Sequence, residues 1–401
     1  GRDAYLAAAL EDDGAALEAV PAAAGPAIAA SLEAAPLHFH VVDAARGALR
    51  CFMVAPGGSR AVELGAVVVA GGPGDAILDV AYGDAGPVSS KAHVLGDDAL
   101  LLKYLNPHLA VVLSSSPGGA PAPLLDAKLK VADVAAEDQV EPPTLYVTLV
   151  DVVKASVAHR VAVPHGGAPA KAILNENWVI YSYWNHKAKR AELGSLSLHE
   201  GMIERFGLSP FKVPEQESTA SAWSLPPPVA LQRTFALPKP VTALGATATS
   251  RGIASKHVLL GVEPGQLSAL DRRALDPRRP NLDENDKSRA ARKRVERELD
   301  EGLRPYAPFV PLAPRSVVTY DQQILKLSAI YATDAKLEST SLVLATGVDV
   351  FGCRHTPSGA FDLIADDFNY ALLLLLLLGL SVGALLLRKA AQAKNLAIQW
   401  V

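Results

Sequence analysis

The sequence has 401 residues and a formal net charge of -4, so it has no overall positive field to attract nucleic acid, and nucleic-acid binding is excluded. Hydrophobic residues make up 50% of the chain and charged residues 20%, with a mean hydropathy of +0.19, a composition that predicts a membrane segment. The two cysteines, Cys51 and Cys353, form no CxxC pair, and whether they form a disulfide is left open. The opening GRDAYLAAALEDD lacks the features of a signal peptide, so we expect a fragment or a mature piece whose natural beginning is missing.

The first segment, residues 1–36, is rich in alanine and is interrupted by Pro21, Pro26 and Pro36. Alanine favours helix, whereas proline breaks it. We therefore predict a connector of short, broken helices or loosely ordered chain.

Residues 37–367 carry the pattern of β-strands. HFHVVDA and ALRCFMV flank a short glycine-containing connection, as in a hairpin. Similar runs follow at intervals, separated by Gly, Pro, Asp and Ser: ILDVAY, LLLKYL, LAVVLSSS, TLYVTLVDVV, SVAHRVAV, NWVIYSYWN, KHVLLGVEP, SVVTYDQQILKLSAIYAT and STSLVLATGVDVFG. This spacing indicates an antiparallel sandwich, barrel or propeller. In LYVTLVDVVKASVAHRVAV a strand pattern is followed by a charged turn and a second strand pattern. This order favours propeller blades of the quinoprotein or WD type.

Two segments interrupt this pattern. Residues 207–240 are rich in proline and polar residues, which predicts an extended connection over a surface. Residues 283–301 form a charged insert in which both signs alternate, which predicts a solvated helix or a disordered insert.

The clearest feature is the uncharged run ALLLLLLLGLSVGALLL at 371–387. With Phe368 and Tyr370 on its amino side it reaches the roughly twenty residues needed to cross a bilayer. We predict a single transmembrane helix at 368–388 and a cytosolic tail at 389–401.

Charges at the two ends of this run predict its orientation. Acidic residues precede it, and basic residues follow it, which places the tail in the cytosol and the β-rich region on the other side, in the lumen of the endoplasmic reticulum (ER) or beyond. The acidic residues are Asp362, Asp366 and Asp367, and the basic ones are Arg388, Lys389 and Lys394. The predicted interface anchors are Phe368, Tyr370, Arg388 and Lys389.

Gly379, Ser381 and Gly383 match the nucleophile motif G-x-S-x-G, but that motif needs a strand before the serine and a helix after it. Inside an apolar helix the same residues give a small-xxx-small spacing, which lets membrane helices approach closely. We therefore predict that these three residues form a helix-packing strip.

No HExxH, P-loop, EF-hand or Cys/His cluster occurs in the sequence, so we expect no catalytic residue, no metal and no cofactor. His38 and His40 alternate on a strand and are predicted to face the surface. Arg278 and Arg279 lie in a stiff charged turn, where they could form structural ion pairs or contact a lumenal partner.

Several phrases, in order, are similar to the carboxy-terminal region of the ER membrane protein complex subunit 1 family. They are LLLKYLNPHLAVVLS, ILNENWVIYSYWNHKAKRAELGSLSLHEG, RGIASKHVLLGVEPGQLSALDRRALDPRRP, LRPYAPFVPL and LESTSLVLATGVDVFGCRHTPSGAFDLIADDFNY. The resemblance covers most of the chain after residue 37. The chain departs from the family in its alanine-rich beginning, in its longer charged insert and in lacking the amino-terminal propeller.

The resemblance implies a type I ER membrane protein with lumenal propellers of quinoprotein-type repeats that need not bind the quinone. It also implies a non-catalytic scaffold within an insertase, whose partners are the other subunits, the bilayer and, indirectly, tail-anchored and multi-pass client proteins. Two alternatives stay open: a single-pass lumenal receptor or chaperone adaptor, with Trp178, Tyr181, Tyr183 and Trp184 as its ligand surface, and a membrane-anchored propeller enzyme.

Overall fold

The computed structural model describes residues 5–11, 14–20, 23, 25–34, 37–54, 60–84, 86–117, 143–203, 227–281, 295–296, 299, 301–356 and 370–399. The chain divides into two units, Gly1–Ser358 and Gly359–Val401. The first unit is mainly β, as predicted, and the second contains one long helix.

The first sheet has five strands in the order β1-β2-β5-β4-β3. Its elements are β1 (Tyr5–Glu11), β2 (Gly14–Val20), β3 (His38–Asp43), β4 (Ala48–Val54) and β5 (Arg60–Val68), with α1 (Gly25–Ala34) between β2 and β3. The alanine-rich connector that we predicted therefore contains a β-hairpin. Pairing of β2 with β5 supplies the tertiary context that overrides the helix preference of alanine.

Two further sheets follow, and a short parallel contact between β6 and β12 joins them. The second sheet contains β6 (Ala76–Asp84), β9 (Leu109–Ser116), β10 (Thr144–Asp151) and β11 (Ser156–Pro164). The third contains β12 (Gly166–Asn175), β13 (Trp178–Asn185), β14 (Arg190–Ile203) and β15 (Val229–Leu237). The far end of β14 also pairs with β8 (Leu100–Lys103), which pairs with β7 (Ala92–Val94).

The fourth and fifth sheets have three strands each. The fourth contains β16 (Val241–Ala246), β17 (His257–Val262) and β18 (Gln266–Asp271). The fifth contains β19 (Ala329–Asp334), β20 (Ser341–Thr346) and β21 (Val350–His355). The first strands of the third, fourth and fifth sheets, β12, β16 and β19, are neighbours in that order, as in successive propeller blades.

Each pair of successive sheets shares one hydrophobic core cluster. Leu49 and Val112 meet between the first and second sheets, and Leu145 and Tyr181 between the second and third. The third and fourth sheets share the cluster of Trp178 and Leu260. The fourth and fifth share the cluster of Leu259 and Val343. The sheets thus pack face to face in chain order, and internal strands such as β9, β13 and β17 contribute alternate residues to two clusters.

The structure differs from our prediction in the second part of the proline-rich connection, 207–240. Residues 204–226 lie outside the described residues, but Val229–Leu237 forms strand β15 along β14. The nine residues between Pro228 and Pro238, VALQRTFAL, contain no proline and can therefore all donate backbone hydrogen bonds to a strand partner.

The strand predicted at SVVTY, residues 316–320, does not form. Pro314–Ser316 is a short 3-10 helix, Val317 forms an isolated bridge with Ser268, and a turn follows.

In the second unit, α2 extends over Tyr370–Gln399. It continues past Arg388, where we predicted the membrane segment to end, because the residues beyond it are mostly good helix formers such as alanine, lysine and leucine.

Candidate functional site

The long helix α2 is the first candidate site. Tyr370–Leu396 is long and apolar enough to cross a membrane, with a mean hydropathy of 2.6 in its most apolar window. Its leucines are exposed in the described structure; Leu375 and Leu387, for example, are 74% and 73% exposed. A helix in the core of a soluble domain buries such side chains. A helix with exposed leucines along its length suits contact with lipid or with other apolar helices.

The three small residues of the predicted packing strip lie in the middle of this helix. A Cβ added at Gly379 or Gly383 would meet no described atom within 4 Å. The Ser381 hydroxyl donates a hydrogen bond of 2.8 Å to the Leu377 carbonyl oxygen. The serine is therefore paired within its own helix, as suits an apolar environment, and it does not occupy the strand-to-helix turn that a catalytic nucleophile of this motif requires.

The predicted interface anchors lie at the ends of the uncharged run. Tyr370 begins α2 and is 58% exposed, and Arg388 and Lys389 are exposed within the helix. The fourth anchor, Phe368, lies outside the described residues. Long basic side chains can extend towards the headgroups while their stems remain in the apolar layer.

The two arginines of the charged turn, Arg278 and Arg279, have partners inside the fold. Arg278 pairs with Asp276 at 3.4 Å and with Glu301 at 3.0 Å. Arg279 is only 7% exposed, and its guanidinium donates to the backbone carbonyl oxygens of Ala274, Arg304 and Pro305. Of the two roles that we considered for these side chains, the geometry favours the structural one.

A buried ionic cluster, which the sequence analysis missed, lies at the turn between β12 and β13. The Glu176 carboxylate lies 3.0 Å from Lys103 Nζ and 3.1 Å from Lys256 Nζ, and the exposed fraction of each of the three side chains is 11% or less. Lys256 Nζ also donates to Asn175 Oδ1 at 2.7 Å. Burial alone would raise the pKa of Glu176, but the two ammonium groups outweigh it and lower that pKa. The cluster joins side chains from distant parts of the chain, so no local motif marks it.

A second polar centre connects the fourth and fifth sheets. Glu338, between β19 and β20, accepts hydrogen bonds from Thr249 Oγ1 at 2.9 Å, Ser250 Oγ at 3.0 Å and the backbone N–H groups of Arg251 and Ile253 at 2.7 Å each. Burial would raise the pKa of Glu338, but these donors lower it to about 2. The carboxylate thus fixes the loop between β16 and β17.

A cleft of about 530 Å³ beside β21 contains His257, His355 and Cys353. His257 Nδ1 lies 3.0 Å from His355 Nε2. Burial and the neighbouring imidazole lower the pKa of His355 to about 4, so this pair is neutral near pH 7. In the part of the chain that the structure describes, no three His, Cys, Asp or Glu side chains form a group that could hold a metal ion.

Other candidates from the sequence lie in packed surroundings. His38 and His40 do not face the surface as predicted, because their rings contact those of His108 and Tyr82 where the first two sheets meet. Cys51 and Cys353 are free thiols and belong to different core clusters.

The aromatic strand β13 is part of the core. Trp178 and Tyr181 are 1% exposed and Tyr183 is 3% exposed. Gln232 donates to the Tyr181 hydroxyl at 2.6 Å, and the Tyr183 hydroxyl donates to Glu192 at 2.6 Å. Because these rings are covered on both faces of the sheet, they are not a ligand surface for a receptor.

Successive face-to-face β-sheets and a candidate membrane span define a membrane-associated β-propeller protein. Residues 3–358 match the family described as ER membrane protein complex subunit 1, second beta-propeller. The chain therefore belongs to the ER membrane protein complex subunit 1 family, as the resemblance indicated, and its fold contains a propeller. Members are complex subunits with no known catalytic activity.

Curated relatives with the name "ER membrane protein complex subunit 1" align with 77–78% of this chain. The Xenopus laevis protein is 33% identical over 316 residues, the Gallus gallus protein 31% over 313, and the Schizosaccharomyces pombe protein 27% over 318. The aligned region covers 28%, 28% and 31% of these relatives, respectively. This chain therefore spans about a third of their length or less.

Proposed function

We propose that this chain is a non-catalytic scaffold within the ER membrane protein complex. It organises the lumenal side of the complex and packs its membrane helix against other subunits, and thereby supports insertion of tail-anchored and multi-pass proteins into the ER bilayer. Family membership supports the assignment to the complex. The observation that carries the helix role is the open strip of Gly379 and Gly383 on an otherwise leucine-covered helix.

The proposed helix packing depends on how closely the backbones of two membrane helices can approach. Without a hydrophobic driving force between helices in lipid, association depends on van der Waals contact, which small residues permit by bringing two backbones together. Ser381 bonds its own helix backbone, so the strip can meet either lipid or a neighbouring helix without an unpaired hydroxyl.

The decisive experiment is affinity purification of the full-length protein in mild detergent, comparing the wild type with the double variant Gly379→Leu, Gly383→Leu. We expect the variant to insert normally and to recover less of the other membrane subunits. Ala384→Leu is the matched control, because it adds bulk about 100° or more around the helix from both glycines and should retain its partners.

Equal recovery from the double variant and the wild type would reject the helix-packing role. Purification of the wild-type protein alone would reject the scaffold assignment itself.

We also propose that the β-rich unit lies in the lumen and that the residues after the apolar run face the cytosol, because Arg388, Lys389 and Lys394 follow that run. The substitution Lys154→Asn, followed by the native Ala155 and Ser156, creates an N-x-S glycosylation acceptor at the β10–β11 turn, in a chain that has no N-x-[ST] site of its own. Lumenal exposure predicts a glycosidase-sensitive mobility shift. An unshifted band from a correctly inserted, folded variant would reverse the proposed orientation.

A further inference from the structure

The cleft of about 530 Å³ beside β21 lies between the fourth and fifth sheets. One wall is the segment from Pro314 to Tyr320. An antiparallel bridge between Val317 and Ser268 of β18 fixes this wall to the fourth sheet. The other wall is β21, which belongs to the fifth sheet. Side chains from two sheets therefore meet in one cleft.

Two histidines, His257 and His355, come together in this cleft. His257 begins β17 and His355 ends β21. His257 Nδ1 lies 3.0 Å from His355 Nε2, and the two ring planes are tilted by 53° with their centroids 5.1 Å apart. Both rings are partly buried, and both line the cleft. Two strands that are distant in sequence thus place one imidazole nitrogen each at the same point.

The separation of these two nitrogens suits a shared metal ion. Zinc–nitrogen bonds are roughly 2.0–2.1 Å long, so two nitrogens on one ion lie about 2.9 Å apart at a right angle and about 3.4 Å apart at a tetrahedral angle. The observed 3.0 Å falls within that range. A hydrogen bond between the rings has a similar length, so the surroundings of the pair decide what it can bind.

The cleft provides the coordination positions that the two imidazoles leave open. Among the described residues no third His, Cys, Asp or Glu side chain completes a metal-binding group. Two imidazoles are therefore the ligands that the protein supplies. A cleft of about 530 Å³ holds several waters, since one water occupies about 30 Å³ in the liquid. Water or a small anion can complete the coordination, as at metal sites that keep an open position.

The charged side chains near the pair are compatible with a bound cation. Asp271 of β18 lies directly opposite His257, so its carboxylate is on the same face of the sheet and acts electrostatically on that imidazole. Arg273 pairs with Asp271 and is itself exposed. Of the two arginines that line the cleft, Arg354 alternates with the histidine along β21 and so points to the other face. Arg315 is exposed and can keep its guanidinium in water.

We propose that His257 and His355 bind a divalent transition-metal ion, with water or a small anion from the cleft as its remaining ligands. Imidazole nitrogen suits Zn²⁺, Cu²⁺ and Ni²⁺, and the site takes an ion of this class. The bound ion joins β17 to β21 and thereby links the fourth sheet to the fifth. This link goes beyond the scaffold role, because its strength depends on the supply of the metal. The two histidines are 98 residues apart in sequence, so no short motif marks them.

The test is a titration of the purified full-length protein with Cu²⁺, followed by electron paramagnetic resonance, on a protein without a polyhistidine tag. The spectrum counts the nitrogens bound to the ion, and we expect two imidazole nitrogens for the first equivalent. His257→Gln and His355→Gln each keep a polar side chain but remove one imidazole, and each should lose this two-nitrogen signal. His186→Gln is the matched control, because His186 is exposed in the turn between β13 and β14 and does not line the cleft. It should bind as the wild type does.

A second measurement tests the link between the sheets. An ion that binds only the folded protein raises its thermal stability. Zn²⁺ should therefore raise the unfolding temperature of the wild type and of His186→Gln, and it should leave that of His355→Gln unchanged.

A first equivalent of Cu²⁺ that carries fewer than two imidazole nitrogens in the wild type would overturn the proposal without any variant. The same conclusion would follow if both cleft variants kept the two-nitrogen signal, because other histidines would then bind the ion. If the wild type bound no Cu²⁺ and Zn²⁺ did not change its unfolding temperature, the pair would be a hydrogen bond between the sheets, and the proposal would be wrong.

Discussion

Strands β13 and β20 are both central strands with apolar runs, yet their surroundings differ. β13 lies between two neighbouring sheets, and its residues Trp178 to Tyr181 are each 1% exposed or less. β20 has one neighbouring sheet, and its two outward leucines are exposed. The difference shows that an apolar run indicates which faces of a strand can be buried. Whether a face is buried depends on neighbouring sheets, which come from distant parts of the sequence. The following variants test this contrast, from the largest expected effect to the smallest.

Trp178→Ala should destabilise the β-rich unit by about 4 kcal/mol, because it leaves a large cavity between the third and fourth sheets. Trp178 is 1% exposed and the Arg272 guanidinium carbon lies 5.4 Å from its ring centroid. Denaturant unfolding followed by far-ultraviolet circular dichroism measures this loss. If Trp178→Ala lowered the free energy of unfolding as little as a substitution at an exposed residue does, β13 would not be buried on both faces.

Glu338→Ala should cost about 3 kcal/mol, because one buried and several partly buried donors between the fourth and fifth sheets lose their acceptor. Glu338→Gln, which retains one carbonyl oxygen, should cost less. The same unfolding measurement applies. An alanine variant as stable as the wild type would mean that the apolar cluster alone holds the fifth sheet in place.

The same carboxylate predicts a pH dependence. The pKa of Glu338 is lowered from 4.5 to about 2 in the folded protein, so its contribution to the free energy of unfolding is complete above pH 4.5 and is lost as the pH falls towards 2. The stability difference between wild type and Glu338→Gln should therefore shrink over this acidic range. If the stability difference between the two proteins stays constant over this range, the negative charge of Glu338 does not contribute to the stabilisation.

Gly194→Ala should cost about 2 kcal/mol through overpacking. Gly194 of β14 lies directly opposite Tyr181 of β13, and a Cβ added at Gly194 would lie 2.0 Å from Tyr181 Cζ. Gly352→Ala, on β21 of the fifth sheet, is the matched control, because its added Cβ would have Leu344 Cδ1 at 3.9 Å as its nearest described neighbour. Equal effects at both positions would contradict the difference in packing between the two sheets.

Leu344→Ser should change the stability of this chain by about 0.5 kcal/mol or less, as at other exposed positions. Val343→Ser, on the buried face of the same strand, should cost several times more, because Val343 is 3% exposed and packs on the fourth sheet. Thermal unfolding of the two variants side by side measures the contrast. Equal effects at both positions would contradict the difference between the two faces of β20.

The sequence predicted the strands whose apolar pattern is strong, such as β9, β13 and β17, and it predicted the apolar helix. It missed β15 because prolines dominate the beginning of that segment. It missed β1 and β2 because alanine locally favours helix, whereas β1 pairs with β2 and β2 pairs with the distant β5. The Glu176 cluster could not be predicted, since Lys103 and Lys256 come from positions 73 and 80 residues away on either side. Long-range ion pairs leave no local spacing to recognise.

The contacts of Arg278 and Arg279 have a practical consequence for protein engineering. Glu301 pairs with Arg278, the Arg304 and Pro305 carbonyl oxygens accept from Arg279, and the Tyr306 N–H donates to the Pro280 carbonyl oxygen at 2.8 Å. These contacts join the chain before the charged insert to the chain from Glu301 onward. Because loop-closure entropy grows only with the logarithm of length, a fluorescent protein or an epitope tag inserted between Asp286 and Ala291 should leave the propeller intact and provide an internal label.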